Sequence, residues 1–263
     1  MHLRLVCTAA ALTALILDTG PSAAVSQEKP AKLKILITGS AGQIGSTLVK
    51  GLSGKYDLRG LDIRPTAGLE DSIVGDVRDF ETILRAAKGI NAIVHLANVS
   101  TGSATDRDRW EDLMGNMTGT YNVLEAARQS GIRRVVYASR AGLLGPYPQR
   151  VTRTVELLPR PESFYSVSKV FGENLGYMYS VRHNIEFVAV RIGNFNLKRP
   201  LPEHPHQLGH GDAIRVFERA VIHPGVKYEV IFGVSDSSWK LYDLDHGKGA
   251  INYHPQDKSM MNP

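Results

Sequence analysis

Tyr165 and Lys169 are separated by four positions in the segment YSVSK at residues 165–169. In a helix these two side chains lie on one face, because residues i and i+4 are neighbours. The ammonium then favours the ionised phenol, and a phenolate can take the proton of an alcohol while hydride leaves the alcohol carbon. Lys169 can also hold a ribose hydroxyl. A tyrosine and a lysine at this spacing occur often by chance, so other residues must support the assignment.

The segment TGSAGQIG at residues 38–45 directly follows the apolar run LKILI at residues 33–37. Glycines in a turn after a strand let backbone amides approach a pyrophosphate, and a helix that begins there adds the positive end of its dipole. The pattern predicts a dinucleotide-binding turn. The residues expected to contact the cofactor are Gly39, Gly42, Gln43, Ile44 and Gly45.

A second apolar segment, YDLRGLD at residues 56–62, ends in an acid seventeen residues after Gly45. A carboxylate at this position accepts the two hydroxyls of the adenosine ribose and repels a 2'-phosphate. Asp62 therefore predicts NAD as the cofactor, with NADP disfavoured. Arg64 lies two residues further on and would weaken that preference. The simpler alternative for Asp62 is an ordinary turn carboxylate.

The composition is that of a globular protein. The chain has 263 residues, of which 43% are hydrophobic and 22% charged, and this length can bury a full core. The net charge of +5 comes from dispersed lysines and arginines. Diffuse charge of this kind is typical of a solvated surface and gives no support to nucleic-acid binding.

The first 26 residues differ in kind from the rest. Arg4 precedes an apolar stretch at residues 5–17, and small residues follow at 22–26. Thirteen residues of helix rise only about 20 Å, less than the roughly 30 Å of a bilayer core. We therefore expect a cleavable signal peptide at residues 1–26, cut after Ala24 or Ser26, with no stable membrane insertion after cleavage. The only cysteine, Cys7, lies inside it, so the mature chain would form no disulfide or cysteine metal site.

This segment predicts a periplasmic or secreted protein, in a compartment poor in nicotinamide cofactors. A twin-arginine pair would indicate export of a folded protein, and the sequence has no such pair near Arg4. The alternative is a misassigned start codon, with translation beginning between Val25 and Leu33, which would make the protein cytoplasmic.

Beyond a linker at residues 27–32, short apolar strands alternate with helical patterns. This alternation predicts an α/β fold, a Rossmann-type doubly wound parallel sheet. The NAD-binding domain is expected at residues 33–193 and a small loop-rich substrate-binding region at 194–263. The predicted strands are 33–38, 56–62, 72–75, 92–96, 134–139 and 186–192, with helices near 43–52, 79–88, 108–130 and 165–183.

Right-handed crossovers place the carboxyl ends of all these strands along one edge. Asp76 and Val77 follow the third strand and are expected near the adenine, although Asp76 could equally cap the next helix. Leu96 and Ala97 lie at the end of the fourth strand and are expected beside the nicotinamide ribose, whereas His95 is better explained as a core histidine. Three loop histidines lack metal-ligand spacing and are expected to be solvated, so no metal site is predicted: His204, His206 and His210.

Taken together, these motifs resemble the extended short-chain dehydrogenase/reductase superfamily over residues 33–255. The segments GPYPQ (145–149), YSVSKVFGENL (165–175), VRIGN (190–194) and FGVSDSSW (232–239) are most similar to uronate dehydrogenases. That resemblance implies NAD-dependent oxidation of C1 of a cyclic hexuronic acid to a lactone. It also implies Tyr165 as the general base, Lys169 as its partner and Asn116 as the support of a proton-relay water.

The resemblance further implies substrate contacts from Ser100, Asn194 and Arg199, the last as a carboxylate clamp, although an exposed Arg199 without a ligand fits the sequence at least as well. The chain departs from the family at two positions: Asn194 stands where those relatives carry a serine, and the second departure is the more serious. A catalytic serine is expected about twenty-five residues before the tyrosine, and the chain has Arg140 there. A guanidinium can donate to a substrate oxygen but cannot relay a proton. Ser139 could take over if the strand end shifted by one residue.

The sequence thus predicts an NAD-dependent oxidoreductase acting on a sugar or hexuronic acid. Its expected partner is a small molecule, and a homo-oligomer is left open. One alternative is a nucleotide-binding sensor or scaffold with a degraded active site, favoured by Arg140 and the export signal. Another is a sugar epimerase or dehydratase, which would normally retain the serine.

Overall fold

The computed structural model of the protein describes residues 32–99 and 105–261. The predicted signal peptide, most of the predicted linker and Ser100 lie outside these ranges. Within them, no helix is both long and apolar enough to cross a membrane.

Strands and helices alternate along the described chain as the sequence predicts. The strands are β1 (Lys34–Thr38), β2 (Asp57–Asp62), β3 (Ser72–Val74), β4 (Ala92–His95), β5 (Arg134–Arg140), β6 (Glu186–Ile192), β7 (Tyr228–Gly233), β8 (Asp236–Ser237) and β9 (Lys258–Ser259). The helices are α1 (Gln43–Leu52), α2 (Phe80–Ala86), α3 (Asp106–Gln129), α4 (Phe164–His183), α5 (His210–Ile222) and α6 (Asp245–Ile251). A single 3-10 turn, Ala141–Leu144, follows β5 directly.

Seven strands form one parallel sheet in the order β3-β2-β1-β4-β5-β6-β7. The order reverses between β1 and β4, and in such sheets ligands bind at the carboxyl ends of the strands beside the reversal. The predicted α/β fold is confirmed. Strand β7 comes from the predicted C-terminal region and pairs with β6, so that region completes the sheet. A boundary at residue 193 stays a prediction.

Helices cover both faces of the sheet because its strands are apolar on both sides. Side chains alternate along a strand, so Ile35 and Ile37 pack with α1 and α5, whereas Leu36 packs with α2, α3 and α4. Both sets of side chains are fully buried.

Helix α4 lies close to the sheet because it carries glycines where large rings approach. A Cβ atom on Gly172 would lie 2.3 Å from the Tyr137 ring, and one on Gly176 would lie 2.3 Å from the Phe187 ring. Ser163 caps the start of this helix, because its Oγ accepts a hydrogen bond of 3.1 Å from the Ser166 amide. These contacts place the start of α4 at the carboxyl edge of the sheet.

The C-terminal residues are more ordered than the sequence indicates. A loop-rich region was expected at residues 194–263, but from Ser235 onwards strands β8 and β9 pair and α6 lies between them. The reason is a set of buried apolar side chains that the polar composition hides: Leu241, Tyr242, Ile251 and Tyr253.

Candidate active site

A cavity of about 1090 Å³ opens along the carboxyl ends of the parallel strands. Both the glycine turn after β1 and the start of α4 contribute to its wall, so the two motifs found in the sequence meet in one place. The sequence-predicted residues that line it are Gly39, Gly42, Gln43, Ile44, Gly45, Asp62, Asp76, Val77, Leu96, Ala97, Ser139, Arg140, Tyr165, Lys169 and Asn194.

The turn after β1 has the geometry that a dinucleotide requires. Gly39 has φ +74°, and a Cβ atom there would lie 2.7 Å from the Ala97 amide nitrogen. A Cβ atom on Gly45 would lie 2.2 Å from the Gly39 carbonyl oxygen. Helix α1 begins at Gly42 with no side chain capping its first amides. Backbone donors at a helix start that also lines the cavity suit an anionic pyrophosphate.

Asp62 lies at the end of β2 and is tied to the turn. Its Oδ2 accepts from the Ala41 amide at 3.1 Å and its Oδ1 from the Arg64 amide at 3.1 Å. The Arg64 guanidinium lies 4.0 Å from the same carboxylate and is largely exposed. The carboxylate is therefore held in place at the cavity wall, where it can accept ribose hydroxyls as the sequence predicts.

Asp76 forms a close ion pair of 2.6 Å with Arg78. Hydrogen bonds from Arg78 hold the pKa of the Asp76 carboxyl below its usual range, against the opposing effect of burial. The charges of these two residues thus balance, and an adenine contact at Asp76 stays a prediction.

Tyr165 and Lys169 share one face of α4 but differ in burial. The tyrosine is 39% exposed, whereas the lysine is only 3% exposed. The Lys169 Nζ lies 5.2 Å from the centre of the Tyr165 ring and 5.0 Å from that of Tyr137. Burial lowers the pKa of Lys169, but Tyr137 and Tyr165 outweigh it and the net pKa lies above the usual value. The lysine is therefore a fixed positive charge beside the candidate base.

Arg140 supplies a second cation next to the same ring. Its Cζ lies 5.3 Å from the centre of the Tyr165 ring, and its Nη1 donates to Ser166 Oγ at 3.2 Å. The position predicted for a catalytic serine is thus filled by a guanidinium that touches both the candidate base and the capped start of α4.

Ser139 does not move into the position of the missing serine. Strands β5 and β6 keep a regular register up to the pair Arg140 and Ile192, so the shift by one residue that this role requires does not occur. The Ser139 Oγ instead donates to Glu173 at 2.6 Å, and Glu173 forms a buried ion pair of 2.9 Å with Arg191. Its hydroxyl serves a structural cluster, and the geometry argues against the predicted catalytic role.

Asn116 is a positioning residue in this structure. Its amide bonds both backbone groups of Val99, at 2.8 and 3.0 Å, and the Asp112 carbonyl at 2.8 Å. The side chain does not line the cavity. It fixes the segment that follows β4, and its support of a proton-relay water stays a prediction.

Two further predicted residues lie away from the cavity lining. Arg199 is exposed and forms an ion pair with Glu203, so the structure does not place it as a carboxylate clamp. His95 is buried between Thr38, at 2.7 Å, and Thr120, at 3.3 Å, which confirms that it is a core histidine.

His206 lines the cavity, and its expected solvation was wrong. Its Nδ1 lies 2.9 Å from the Oη of Tyr242, which also lines the cavity. Burial, followed by His204 and Arg153, lowers the pKa of His206. The other two loop histidines are also partly buried, because His204 packs against His206 and His210 stacks on Phe195. No sequence signal pairs His206 with a tyrosine 36 residues away.

Comparison with known proteins agrees with this geometry. A family model described as NAD dependent epimerase/dehydratase matches residues 35–221. The chain belongs to this family. The match begins within β1 and extends to the end of α5, so it includes the glycine turn, Asp62, Tyr165 and Lys169.

Similar members of the epimerase/dehydratase family include two dehydrogenases. An NAD-dependent glucose-6-phosphate dehydrogenase from Haloferax volcanii is 31% identical over 86% of this chain and 94% of its own length. A uronate dehydrogenase from Pseudomonas putida is 33% identical over 86% of this chain and 85% of its own length. A crystal structure of uronate dehydrogenase from Agrobacterium tumefaciens, a tyrosine-to-alanine mutant complexed with NAD, has a TM-score of 0.77 at 30% identity. That match covers 87% of this chain and 86% of that chain.

The buried His95 predicts a dependence of stability on pH. Burial and the nearby Lys169 charge lower its pKa to about 3, from 6.5. The unfolded chain therefore binds a proton that the folded chain excludes, and stability is full above pH 6.5 and is lost progressively towards pH 3. We expect His95 to contribute about 2 kcal/mol of lost stability between pH 7 and pH 5.

Urea unfolding at both pH values measures this contribution. The loss of unfolding free energy between pH 7 and 5 should be about 2 kcal/mol smaller in His95→Gln than in the unmutated protein. His254→Gln, at an exposed histidine, should leave the loss unchanged. Equal losses in all three proteins would contradict a buried neutral His95.

Proposed function

We propose that this protein is an NAD-dependent oxidoreductase that oxidises a sugar or hexuronic acid, with hydride transfer assisted by Tyr165 and Lys169. One observation carries the proposal: the dinucleotide turn, Asp62 and the Tyr165–Lys169 pair line a single cavity. The dehydrogenase relatives support the same reaction, since both act on sugars or sugar acids by their names.

The residues of the cavity suit NAD at both ends. The turn at 39–45 would hold the pyrophosphate through backbone amides, and Asp62 would accept the adenosine ribose hydroxyls. Lys169 would donate to the nicotinamide ribose from its buried position. When bound, NAD supplies the acceptor for the hydride.

The protein's own part of the reaction is the movement of a proton. Tyr165 is exposed to the cavity, so its phenolate oxygen can take the proton of a substrate hydroxyl as the carbon is oxidised. Lys169 Nζ and Arg140 Cζ lie 5.2 and 5.3 Å from the centre of the Tyr165 ring, so two cations accompany the candidate base. The serine that relatives use is absent, and the donors of Arg140 stand in its place.

The two alternative hypotheses, a nucleotide-binding sensor and a sugar epimerase or dehydratase, have less support than the oxidoreductase. A degraded site would not need these residues together, whereas Lys169 Nζ lies 5.2 Å from the centre of the Tyr165 ring and both residues line the cavity, which supports a role as base and partner. An epimerase or dehydratase would be expected to keep a serine hydroxyl at the site, where this chain has Arg140.

Removing the candidate base should separate binding from chemistry. Tyr165→Phe should lose about 100-fold or more in kcat, the scale of general base assistance, while NAD affinity changes by only a few-fold. Initial rates of NAD reduction, scanned over sugars and uronic acids, measure the first quantity, and fluorescence titration measures the second. Tyr177→Phe, an exposed tyrosine on the same helix, is the matched control and should behave like the unmutated protein. A Tyr165→Phe variant with full activity would contradict the role of Tyr165 as the general base.

Asp62 should decide between the two nicotinamide cofactors. The unmutated protein is expected to bind NAD at least about tenfold more tightly than NADP, a difference of about 1.4 kcal/mol. Asp62→Ala should shrink that difference, since the ribose loses its acceptor and the 2'-phosphate loses a repelling charge. Asp57→Ala, at the exposed start of the same strand, should keep it. Equal affinities of the unmutated protein for both cofactors would reject the assignment.

We propose in addition that residues 1–26 direct export of the protein to the periplasm or the medium. The apolar stretch at 5–17 and the small residues at 22–26 support this. Mass analysis of the protein isolated from its native host should find an N-terminus at Val25 or Gln27. A soluble cytoplasmic protein that retains residues 1–26 would rule export out.

A further inference from the structure

The two ends of the cavity differ in electrical balance. At the end near β2 and β3, Asp62 lies beside Arg64 and Asp76 is paired with Arg78, so positive and negative charges are matched. At the end near α4, the charged residues that line the wall are Arg140, Lys169 and the exposed Glu162. Among the residues that the structure describes, no carboxylate forms an ion pair with Arg140 or Lys169. The end that holds the reacting group therefore carries an excess of positive charge.

At this end of the cavity, the Arg140 guanidinium has N–H donors without a hydrogen-bond partner among the described residues. Only Nη1 has a protein partner, the Ser166 hydroxyl, within the described part of the chain. Its Nε and Nη2 have no hydrogen-bond partner in the described part of the chain, and neither atom is buried. Both nitrogens are therefore accessible. A guanidinium that lines the cavity with open donors offers a planar fork that matches a carboxylate or a phosphate.

Gly142 makes the space in which this guanidinium lies. A Cβ atom on Gly142 would be 2.4 Å from Arg140 Nη2 and 2.8 Å from Nε. Any other residue at position 142 would therefore push the arginine side chain out of its place. The two residues work as a pair, and the arginine is accommodated by the local backbone.

His206 adds a second donor at the same end. Its Nδ1 lies 2.9 Å from Tyr242 Oη. Because burial raises the pKa of Tyr242 to about 12, the phenol keeps its proton and can donate it to Nδ1. The Nε2 of the neutral ring then carries a proton, and it has no protein partner in the described ranges. Tyr242 packs with Ala141 and Leu144, which follow Arg140 closely in the chain, so the pair lies at the same end of the cavity as the guanidinium.

We propose that Arg140 and His206 form a subsite that binds an anionic group of the substrate, a carboxylate or a phosphate, and make the protein selective for acidic sugars. The proposal rests on the proposed oxidoreductase function. It assigns to Arg140 the anion-binding role that the sequence suggested for Arg199. Arg199 forms an ion pair with Glu203 and does not line the cavity. Tyr242 acts as a positioning residue, because it sets which nitrogen of His206 carries the proton.

Three sugars of the same stereochemistry test the subsite: D-glucuronate, D-glucose 6-phosphate and D-glucose. The measured quantity is the ratio of kcat/KM for each acidic sugar to that for glucose. In Arg140→Gln this ratio should fall by about 10- to 100-fold for the preferred anion, the scale of a lost charged hydrogen bond. Whichever of the carboxylate and the phosphate shows the larger ratio in the unmutated protein identifies the anion.

Matched variants distinguish the subsite from a loss of structure. Gly142→Ala keeps the arginine but fills its space, so the ratio should fall several-fold. Arg140→Lys keeps the charge without the fork and should recover part of the ratio lost in Arg140→Gln. Tyr242→Phe should lower the ratio through KM rather than kcat. Arg199→Gln should keep the ratio within about threefold, and a loss there instead of at Arg140 would overturn the assignment.

A binding measurement separates this inference from the proposed function. With NADH bound, the sugar cannot be oxidised, so calorimetric titration of the NADH-saturated protein reports affinity alone. An acidic sugar should bind at least about tenfold more tightly than glucose, and Arg140→Gln should remove the difference. If this holds while no sugar reduces NAD, the subsite stands and the oxidoreductase function fails. Equal binding of acidic and neutral sugars by the unmutated protein would reject the subsite even if both are oxidised.

Discussion

The buried Lys169 ammonium is the charge around which the site is arranged. A cation inside a protein is costly unless its surroundings compensate it. Among the residues that the structure describes, the neighbours of Lys169 are two tyrosine rings, and no carboxylate pairs with it. That arrangement depends on α4 lying close against the sheet, which Gly172 permits by leaving room for the Tyr137 ring. A carboxylate partner would neutralise the lysine, whereas an aromatic setting leaves a net positive charge beside Tyr165 at the cavity wall.

The same helix is fixed further along by a buried ionic cluster. Glu173 receives two hydrogen bonds from Arg191, each 2.9 Å long, and a third of 2.6 Å from Ser139. Removing one partner of such a buried pair leaves an uncompensated charge, which is strongly destabilising. Because Glu173 lies on α4, the cluster holds this helix against the ends of β5 and β6. Ser139 is committed to this structural task. The next residue along β5 then meets the substrate end of the cavity, and that residue is Arg140.

Replacement of a hydroxyl by a guanidinium changes what the site can do. A serine both donates and accepts, whereas an arginine only donates and always carries charge. In the proposed reaction Tyr165 would take the substrate proton without a hydroxyl relay from position 140. In exchange the cavity gains an open cationic fork, with balanced ion pairs confined to its other end. The departure from the family pattern thus accompanies a change in electrostatics at the substrate end and leaves the cofactor end intact.

The sequence alone determined the features that depend on neighbours along the chain. The strand, turn and helix of residues 33–52, the acid at the end of β2 and the spacing of Tyr165 and Lys169 follow from local periodicity, and the parallel sheet follows from their alternation. The tertiary structure decided three other features: the secondary structure of the C-terminal residues, the hydrogen bond from Ser139 to Glu173, and the contact between His206 and Tyr242. Those contacts join residues 34 and 36 positions apart, and their partners are set by which elements pack together. A local pattern holds no information about that packing, so only the folded chain shows which donors remain open to the cavity.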